Sequence, residues 1–321
     1  MKKMLNKKNI FTAVFALLLY GLLFLLVQTG TLSRHFQSLL VPVGVNVILA
    51  VSLNLTVGFL GELTLGHAGF MSVGAYAGCL FTLHSALPMA VKFPLGMLVG
   101  GLVAAVFGVI IGVPALRLKG DYLAIVTLAF GEIIRSVVTN LSFTGGAGGL
   151  KKIGKASNYT IVFLVAVITI VVISNLVKSR HGRAICAIRD NVIAAESAGI
   201  NVVYYKLLAF TVAAFFAGVA GVLYGHNLGI LKPDTFDFNK SIEILVIVVL
   251  GGMGSIRGSI LSAVIVTILP EVLRGMEDYR MLAYAIVLIA IMLLNASPRF
   301  AALKNKLLHK SGKKMKNGEV A

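Results

Sequence analysis

The most chemically versatile side chains in the apolar part of this sequence lie in one glycine-rich stretch, 58–69, which reads GFLGELTLGHAG. Its Glu62, Thr64 and His67 supply a carboxylate, a hydroxyl and an imidazole, groups that can bind a polar solute or move a proton. In a membrane, irregular backbone is tolerated only beside protein or a water-filled cavity. Two interpretations stay open: a broken helix that lines a solute path, and a turn at the cytoplasmic surface where Glu62 and His67 reach water.

A second pair of charged residues, Glu132 and Arg135, lies within the apolar stretch 121–141. Residues three positions apart share one face of an α-helix, so the two side chains are expected to pair. Charged residues in a membrane either pair or face a polar interior. The pair is therefore either a structural ion pair or part of a solute path, where a free Arg135 would attract a carboxylate.

Other arrangements that could support catalysis are lacking in the sequence. The stretch 149–155 has the spacing of a phosphate-binding loop, but Ala156 occupies the place of the Ser or Thr that binds magnesium. No Ser-His-Asp order or HExxH motif occurs in a suitable context, and Cys79 and Cys186 form no metal-binding or disulfide pattern. We expect no enzyme activity, no cofactor and no metal.

The composition indicates that these residues are positioned by membrane-spanning helices. Of 321 residues, 58% are hydrophobic and 13% charged, too little charge for a soluble domain of this length. The net charge of +17 would suggest nucleic-acid binding in a soluble protein. Here the basic residues cluster in loops and tails, as orientation by the positive-inside bias requires, and nucleic acid is not an expected partner.

Apolar runs predict an all-α fold, a polytopic transmembrane bundle of about ten spans. Glycines spaced at small-xxx-small intervals indicate close helix packing. Four glycines separate the eighth and ninth spans, which are short, so a broken helix or a tight hairpin is expected there. The spans are predicted near 10–28, 36–57, 68–86, 94–116, 121–141, 159–177, 207–227, 241–254, 259–273 and 281–296.

The distribution of lysine and arginine predicts the orientation of a single membrane domain, residues 1–321. Basic tails at 1–9 and 299–321 and the loop 178–206 are expected in the cytoplasm, and an even number of spans agrees with both termini lying there. The basic cluster within 151–155 falls outside and contradicts the bias. The tail 299–321 is expected to bind anionic membrane lipid.

The loop 178–206 is the longest polar interruption of the chain. Asp190 or Asn191 can cap a helix start, the run VIAAESA is helical in character, and Gly199 suits the position after the helix end. The loop is either a docking helix or an amphipathic linker that lies on the membrane. A docking helix would present a small, smooth face formed by Ala194, Ala195 and Ala198.

Five stretches, in order, resemble the permease subunits of branched-chain amino acid ABC transporters, in particular the LivM-like branch. They begin with LTVGFLGELTLGHAGFMSVGAYAG and end with GGMGSIRGSILSA, and they cover most of the chain between residues 40 and 275. The five are 55–78, 115–135, 182–210, 217–225 and 251–263.

The resemblance implies that residues 189–201 form a coupling helix that contacts partner ATPases. It assigns no role to Glu196, and it implies ATP-driven alternating access in a bacterial cytoplasmic (inner) membrane. The implied partners are a second related permease, two cytoplasmic ATPase subunits and an extracytoplasmic solute-binding protein. The residues that match the coupling motif are Arg189, Asp190, Ala194, Ala195, Gly199 and Ile200.

The resemblance implies branched-chain amino acids as the solute, with urea or short amides as related possibilities, because the binding protein mostly sets specificity. The alternative is an ion-gradient-driven secondary transporter. Such a carrier would need acids in the middle of its spans. Glu132 satisfies this requirement, whereas Glu62 and Glu243 lie near predicted span ends.

Overall fold

The structure is a computed structural model that describes residues 18, 20, 21, 24–29, 33–118, 120–273, 285, 286 and 289. All regular secondary structure in these residues is helical, apart from one isolated bridge between Leu150 and Leu231. The all-helical prediction is therefore confirmed for this part of the chain. The tails 1–9 and 299–321, and most of the spans predicted at 10–28 and 281–296, lie outside the described residues.

The described helices follow the predicted spans, except that α3 and α8 each begin five residues before the predicted starts at 94 and 207, and that α6 and α7 lie in the predicted loop. They are α1 Arg34–Asn54, α2 His67–His84, α3 Met89–Ala115, α4 Asp121–Asn140, α5 Tyr159–Lys178, α6 Arg180–Asp190, α7 Val192–Ser197, α8 Val202–Leu228, α9 Phe238–Gly251 and α10 Ile256–Val272.

Five helical stretches in the described part of the chain are long and apolar enough to cross a membrane. They are Phe36–Leu60, Met89–Ala115, Asp121–Asn140, Tyr159–Lys178 and Val202–Leu228. The contacts divide the chain into two compact units, residues 1–267 and residues 268–321. Every site described below lies within the first unit.

The centre of the first unit is a three-helix contact among α2, α3 and α8, which pack on glycine. A Cβ atom on Gly74 of α2 would meet the backbone of Gly218 of α8, and one on Gly100 of α3 would meet the carbonyl oxygen of Gly74. Small residues let helix backbones approach closely in membranes, where packing rather than hydrophobic burial drives association. The tight packing expected from the glycine spacing is present.

The helix that begins with α1 is interrupted within the stretch 58–69. After Asn54 the chain widens into a fully buried π-helical turn, Leu55–Leu60, and Gly61 then adopts a left-handed conformation with φ 81°. Non-helical backbone follows until α2 begins at His67. π-helical turns are rare and occur frequently at functional sites. A helix break is required both by a helix that lines a solute path and by a turn at the cytoplasmic surface. The structure contains this break.

The tip between α9 and α10 packs against this break. Asn54 accepts a hydrogen bond from the backbone N–H of Gly254 at 2.8 Å and donates one to Ser259 Oγ at 2.9 Å. Asn54 is fully buried, so these bonds satisfy its amide where water has no access. The predicted hairpin between the short spans is therefore fixed at its tip to the end of α1.

Candidate functional site

The loop 178–206 folds into two short helices that are capped by side chains. Ser179 accepts hydrogen bonds from the backbone N–H groups of His181 and Gly182 at the start of α6. Asn191 accepts one from Ala194 at the start of α7, 3.0 Å away. Asn191 itself is extended, with φ −160° and ψ 110°, and it separates the two helices. The predicted cap is present at Asn191.

This separation corrects one expectation from the resemblance. Arg189 and Asp190, assigned there to the same coupling helix as the alanines, instead end α6, because the extended Asn191 interrupts the helix. The predicted helix end at Gly199 is confirmed, with φ 80°. The backbone N–H groups of Gly199 and Ile200 bond to the carbonyl oxygens of Glu196 and Ala195, which is the Schellman motif.

The alanines of α7 do not form one outward face, as the sequence suggested. Ala195 is buried against the chain, whereas Ala194 and Ala198 are exposed. Ile193 is 76% exposed, the highest value among the large hydrophobic residues described. At 100° per residue, Ile193 lies opposite Ala195 on the helix. Ile193 is not among the residues predicted from the sequence, although an apolar side chain in a polar loop is a usable signal.

Arg189 attaches the end of α6 to the broken helix. Its Nη1 donates to the carbonyl oxygen of Gly58 at 3.2 Å, and its Nε and Nη2 donate to Asp190 Oδ1 at 3.1 and 2.9 Å. Its Cγ lies 2.6 Å from the position that a Cβ on Gly61 would occupy. Arg189 therefore contacts the backbone of its own chain, and Asp190 orients its guanidinium group.

A second contact joins the same two regions. Lys206, in the first turns of α8, forms an ion pair with Glu62, and the two side chains are only 8% and 15% exposed. These four residues, Gly58, Glu62, Arg189 and Lys206, are called the clasp below. The clasp connects the segment that carries α6 and α7 to the break that follows α1, although the paired residues are 131 and 144 positions apart.

Thr64 and His67 are buried and help to hold the break in place. His67 Nε2 lies 2.9 Å from Ser52 Oγ, and Thr64 Oγ1 accepts from the backbone N–H of Gly66 at 3.4 Å. Thr127 of α4 accepts from the backbone N–H of Leu65 at 3.0 Å. Thr64 and His67 are each 2% exposed. Their partners are structural, and neither reaches the open surface.

The predicted pairing of Glu132 and Arg135 is present. Arg135 Nε and Nη2 both lie 2.8 Å from Glu132 Oε2, and each side chain is 36% exposed. Arg135 Nη1 also lies 3.5 Å from Asp234 Oδ1, a residue that the sequence analysis missed because it is 99 positions away. Thr127 lies beside the break, and Arg135 is eight residues further along α4, about 12 Å away. The candidate path residues therefore form two separate groups.

A family model described as "Branched-chain amino acid transport system / permease component" matches residues 36–296. The chain belongs to this family. With its apolar helices, this makes the chain a multi-pass membrane protein and a transport permease. No solved structure matches it significantly.

Individual relatives of this permease agree with the family assignment. The chain is 36% identical over 301 residues to the high-affinity branched-chain amino acid transport system permease protein LivM of Salmonella typhimurium LT2, covering 83% of this chain and 70% of that protein. It is 36% identical over 282 residues to LivM of Escherichia coli K12, covering 77% and 65%. The chain therefore spans about two thirds of the length of these relatives. The ribose import permease RbsC of Escherichia coli K12 is 28% identical over 305 residues, covering 86% and 92%.

Proposed function

We propose that this chain is the membrane-spanning permease subunit of an ABC importer for branched-chain amino acids, in a bacterial cytoplasmic membrane. The observation that carries the proposal is the family match over residues 36–296, together with 36% identity to two LivM permeases. Solute would cross by alternating access, biased by ATP binding and hydrolysis on partner subunits. The chain itself would form and break no covalent bond.

The proposed topology has about ten spans, with both termini in the cytoplasm. The positive-inside bias of the tails 1–9 and 299–321 supports it. The loop 178–206 and the clasp would then face the cytoplasm. Glu62 would lie at the cytoplasmic end of the solute path, with the buried Thr64 and His67 holding the break beside it and Glu132 and Arg135 deeper in the membrane.

The proposed partners are a second related permease, two cytoplasmic ATPases and an extracytoplasmic solute-binding protein. Similarity to LivM and, at 24% identity over 243 residues, to LivH of Salmonella typhimurium LT2 supports a pair of related permeases. The basic tail 299–321 would bind anionic lipid. The ATPases would contact α7 and its flanks. The coupling residues would be Arg189, Asp190, Ala194, Ala195, Gly199 and Ile200.

The clasp supports a specific route for this coupling. A partner that moves α7 also moves Arg189 and Lys206, because they flank α7 in sequence. Both hold the break after α1 through Gly58 and Glu62. Gly254 in turn bonds to Asn54 beside the break. Movement at the docking surface would therefore reach α1 and the tip between α9 and α10.

The alternative of an ion-gradient-driven carrier has weaker support. None of the relatives reported above is named as such a carrier. Glu132, the mid-span acid that such a carrier could use, is already paired with Arg135. The two capped helices α6 and α7 would also have no purpose in a carrier that needs no ATPase.

The test is co-purification of ATPase subunits with the permease, comparing the wild type with Gly199→Asp. Gly199 is exposed, has φ 80°, and has no heavy atom within 4 Å of the place where a Cβ would lie, so aspartate adds charge and backbone strain without a clash. We expect the variant to lose the ATPase and to keep its folded membrane domain. The matched control is Gly146→Asp, where φ is 57° and the nearest heavy atom is 3.4 Å away. A wild type that recruits no ATPase contradicts the proposal.

A further inference from the structure

A polar cavity of about 350 Å³ lies where α9 begins, away from the clasp. Its volume is within the range of small-molecule sites in proteins, about 300–1,000 Å³. Both acidic and basic side chains line it, and packing between apolar helices does not require such charged groups. The residues that line it are Tyr224, Asp234, Thr235, Asp237, Asn239, Lys240 and Glu243.

Contacts to α1 fix the depth of this cavity. Lys240 Nζ lies 3.3 Å from Asn46 Oδ1, and Asn46 donates to Thr267 Oγ1 at 2.9 Å. Asn46 is near the middle of the 25-residue stretch Phe36–Leu60, which is long enough to cross a membrane. It precedes Asn54, beside the break, by eight residues, about 12 Å along the helix. The ammonium group of Lys240 therefore lies level with the middle of this stretch.

Arg135 of α4 approaches the rim of this cavity through Asp234, although it does not line the cavity. It is about 12 Å beyond Thr127, which contacts the break, and it lies 3.5 Å from the cavity residue Asp234. Glu132 holds its other nitrogens. The ammonium group of Lys240 and the carboxylates of Asp234, Asp237 and Glu243 thus line the cavity, and Arg135 contacts it from α4 through Asp234.

Charges at this depth need a reason, since each costs about 2.5–3.5 kcal/mol at the centre of a membrane helix. Lys240 is paired with Glu243 at 3.0 Å, and Asp237 caps α9 by accepting from the backbone N–H of Lys240 at 3.0 Å. Asp234 remains 82% exposed despite its contact with Arg135. At membrane depth, irregular backbone lies beside protein or along a water-filled cavity, and charged side chains face the bundle interior or such a cavity. Ion pairing within the protein does not explain why a carboxylate such as that of Asp234 stays exposed here.

We propose that this cavity is a transit site for a zwitterionic α-amino acid. The carboxylates of Asp234 and Glu243 would hold the α-ammonium group, the ammonium group of Lys240 would hold the α-carboxylate, and the ring of Tyr224 would contact the apolar side chain. A sugar or urea carries no such pair of charges and would leave these groups unmatched. The inference rests on the proposed function, because it presumes that an amino acid crosses the bundle.

The first test needs no variant. The purified complex of this chain with its partner permease and ATPases, without binding protein, is heated with leucine, with leucinamide or with 4-methylpentanoate. Leucinamide lacks the carboxylate and 4-methylpentanoate lacks the ammonium group. We expect leucine to raise the unfolding temperature and each analogue to have a clearly smaller effect. Equal shifts for all three, a shift with sodium chloride but none with leucine, or no shift at all would overturn the transit site.

The second test measures leucine uptake and ATP hydrolysis in proteoliposomes that contain the loaded binding protein. For Glu243→Gln and for Lys240→Met we expect leucine transported per ATP hydrolysed to fall by about tenfold, the effect of one lost charge-assisted contact. Lys240→Arg is expected to recover much of the ratio. Lys232→Met is the control, because Lys232 is exposed nearby and does not line the cavity.

Wild-type ratios in both charge-removing variants would overturn the inference, whereas a wild type that neither transports leucine nor recruits ATPases would contradict the proposed function itself.

Discussion

Arg189 donates a hydrogen bond from Nη1 to the carbonyl oxygen of Gly58, 3.2 Å away, across 131 positions of sequence. The acceptor belongs to the π-helical turn that ends the helix begun by α1. Gly58 lies in the last four residues of this helix, whose carbonyl oxygens have no intrahelical donor, so an arginine can bind one without breaking a helical bond. The guanidinium group therefore contacts the backbone of the break directly from the segment proposed to meet the ATPases.

Replacing this arginine should weaken the coupling of ATP hydrolysis to transport. For Arg189→Ala we expect solute transported per ATP hydrolysed to fall severalfold, with a free energy of unfolding within about 1 kcal/mol of wild type, because the side chain is partly exposed. Uptake and ATP hydrolysis in proteoliposomes measure the ratio. Arg183→Ala is the control, since Arg183 is an exposed arginine of the same helix. An unchanged ratio in Arg189→Ala would remove the arginine from the coupling route.

The ion pair of the clasp should respond very differently to single and double substitution. Lys206→Met leaves Glu62 unpaired in a site where its side chain is 15% exposed, and Glu62→Gln leaves Lys206 unpaired at 8% exposure. Breaking a buried pair costs about 3–5 kcal/mol, whereas replacing both partners is often nearly neutral. We expect each single variant to lower the free energy of unfolding by about 3 kcal/mol, and the double variant to recover most of it. Unfolding in detergent measures all four proteins, and additive losses would contradict a coupled pair.

The clasp also marks the limit of what the sequence predicts. The cap at Asn191, the left-handed Gly199 and the pairing of Glu132 with Arg135 follow from spacing within a few residues, and all three are present. The partners of Arg189 and Lys206 are 131 and 144 positions away. Such contacts depend on how helices pack, and a single sequence carries no direct signal for them.

The start of α9 shows a second limit of sequence-based prediction, which concerns how deep a residue lies in the membrane. Hydropathy gives the length of an apolar run but not where that run begins in the membrane. It therefore places Glu243 near the end of a span, whereas Lys240, in the same turn of α9, bonds to Asn46 at mid-depth. Only the contact with α1 reveals that the charged cavity at the start of α9 lies level with the middle of α1.

The exposed Ile193 should contribute directly to ATPase binding. It is 76% exposed on α7, and an apolar side chain that projects from a capped polar loop can fill a pocket on a partner. For Ile193→Glu we expect ATPase co-purification to fall by about tenfold or more, as for truncation of an interface anchor worth about 2 kcal/mol. Folding should be unaffected because Ile193 makes few contacts within the chain.

Val203→Glu is the matched control for Ile193→Glu. Val203 is 68% exposed, is also β-branched, and lies in the first turn of α8 beyond the coupling residues 189–201. If both variants lose the ATPase equally, the effect is one of general surface charge and Ile193 is no anchor. If neither does, the docking surface excludes α7.

The glycine contact between α2 and α8 should tolerate no added side chain. A Cβ on Gly74 would meet the backbone of Gly218, and backbone atoms cannot rotate away as a side chain can. Overpacking typically costs about 1–3 kcal/mol, and because α2 and α8 must separate here, we expect Gly74→Val to lower the free energy of unfolding by at least about 3 kcal/mol. Gly148→Ala is the control, since no heavy atom lies within 4 Å of its Cβ position, and it should stay within about 0.5 kcal/mol of wild type. The unfolding temperature in detergent measures both, and a Gly74→Val protein as stable as wild type would mean that the two helices do not touch at these glycines.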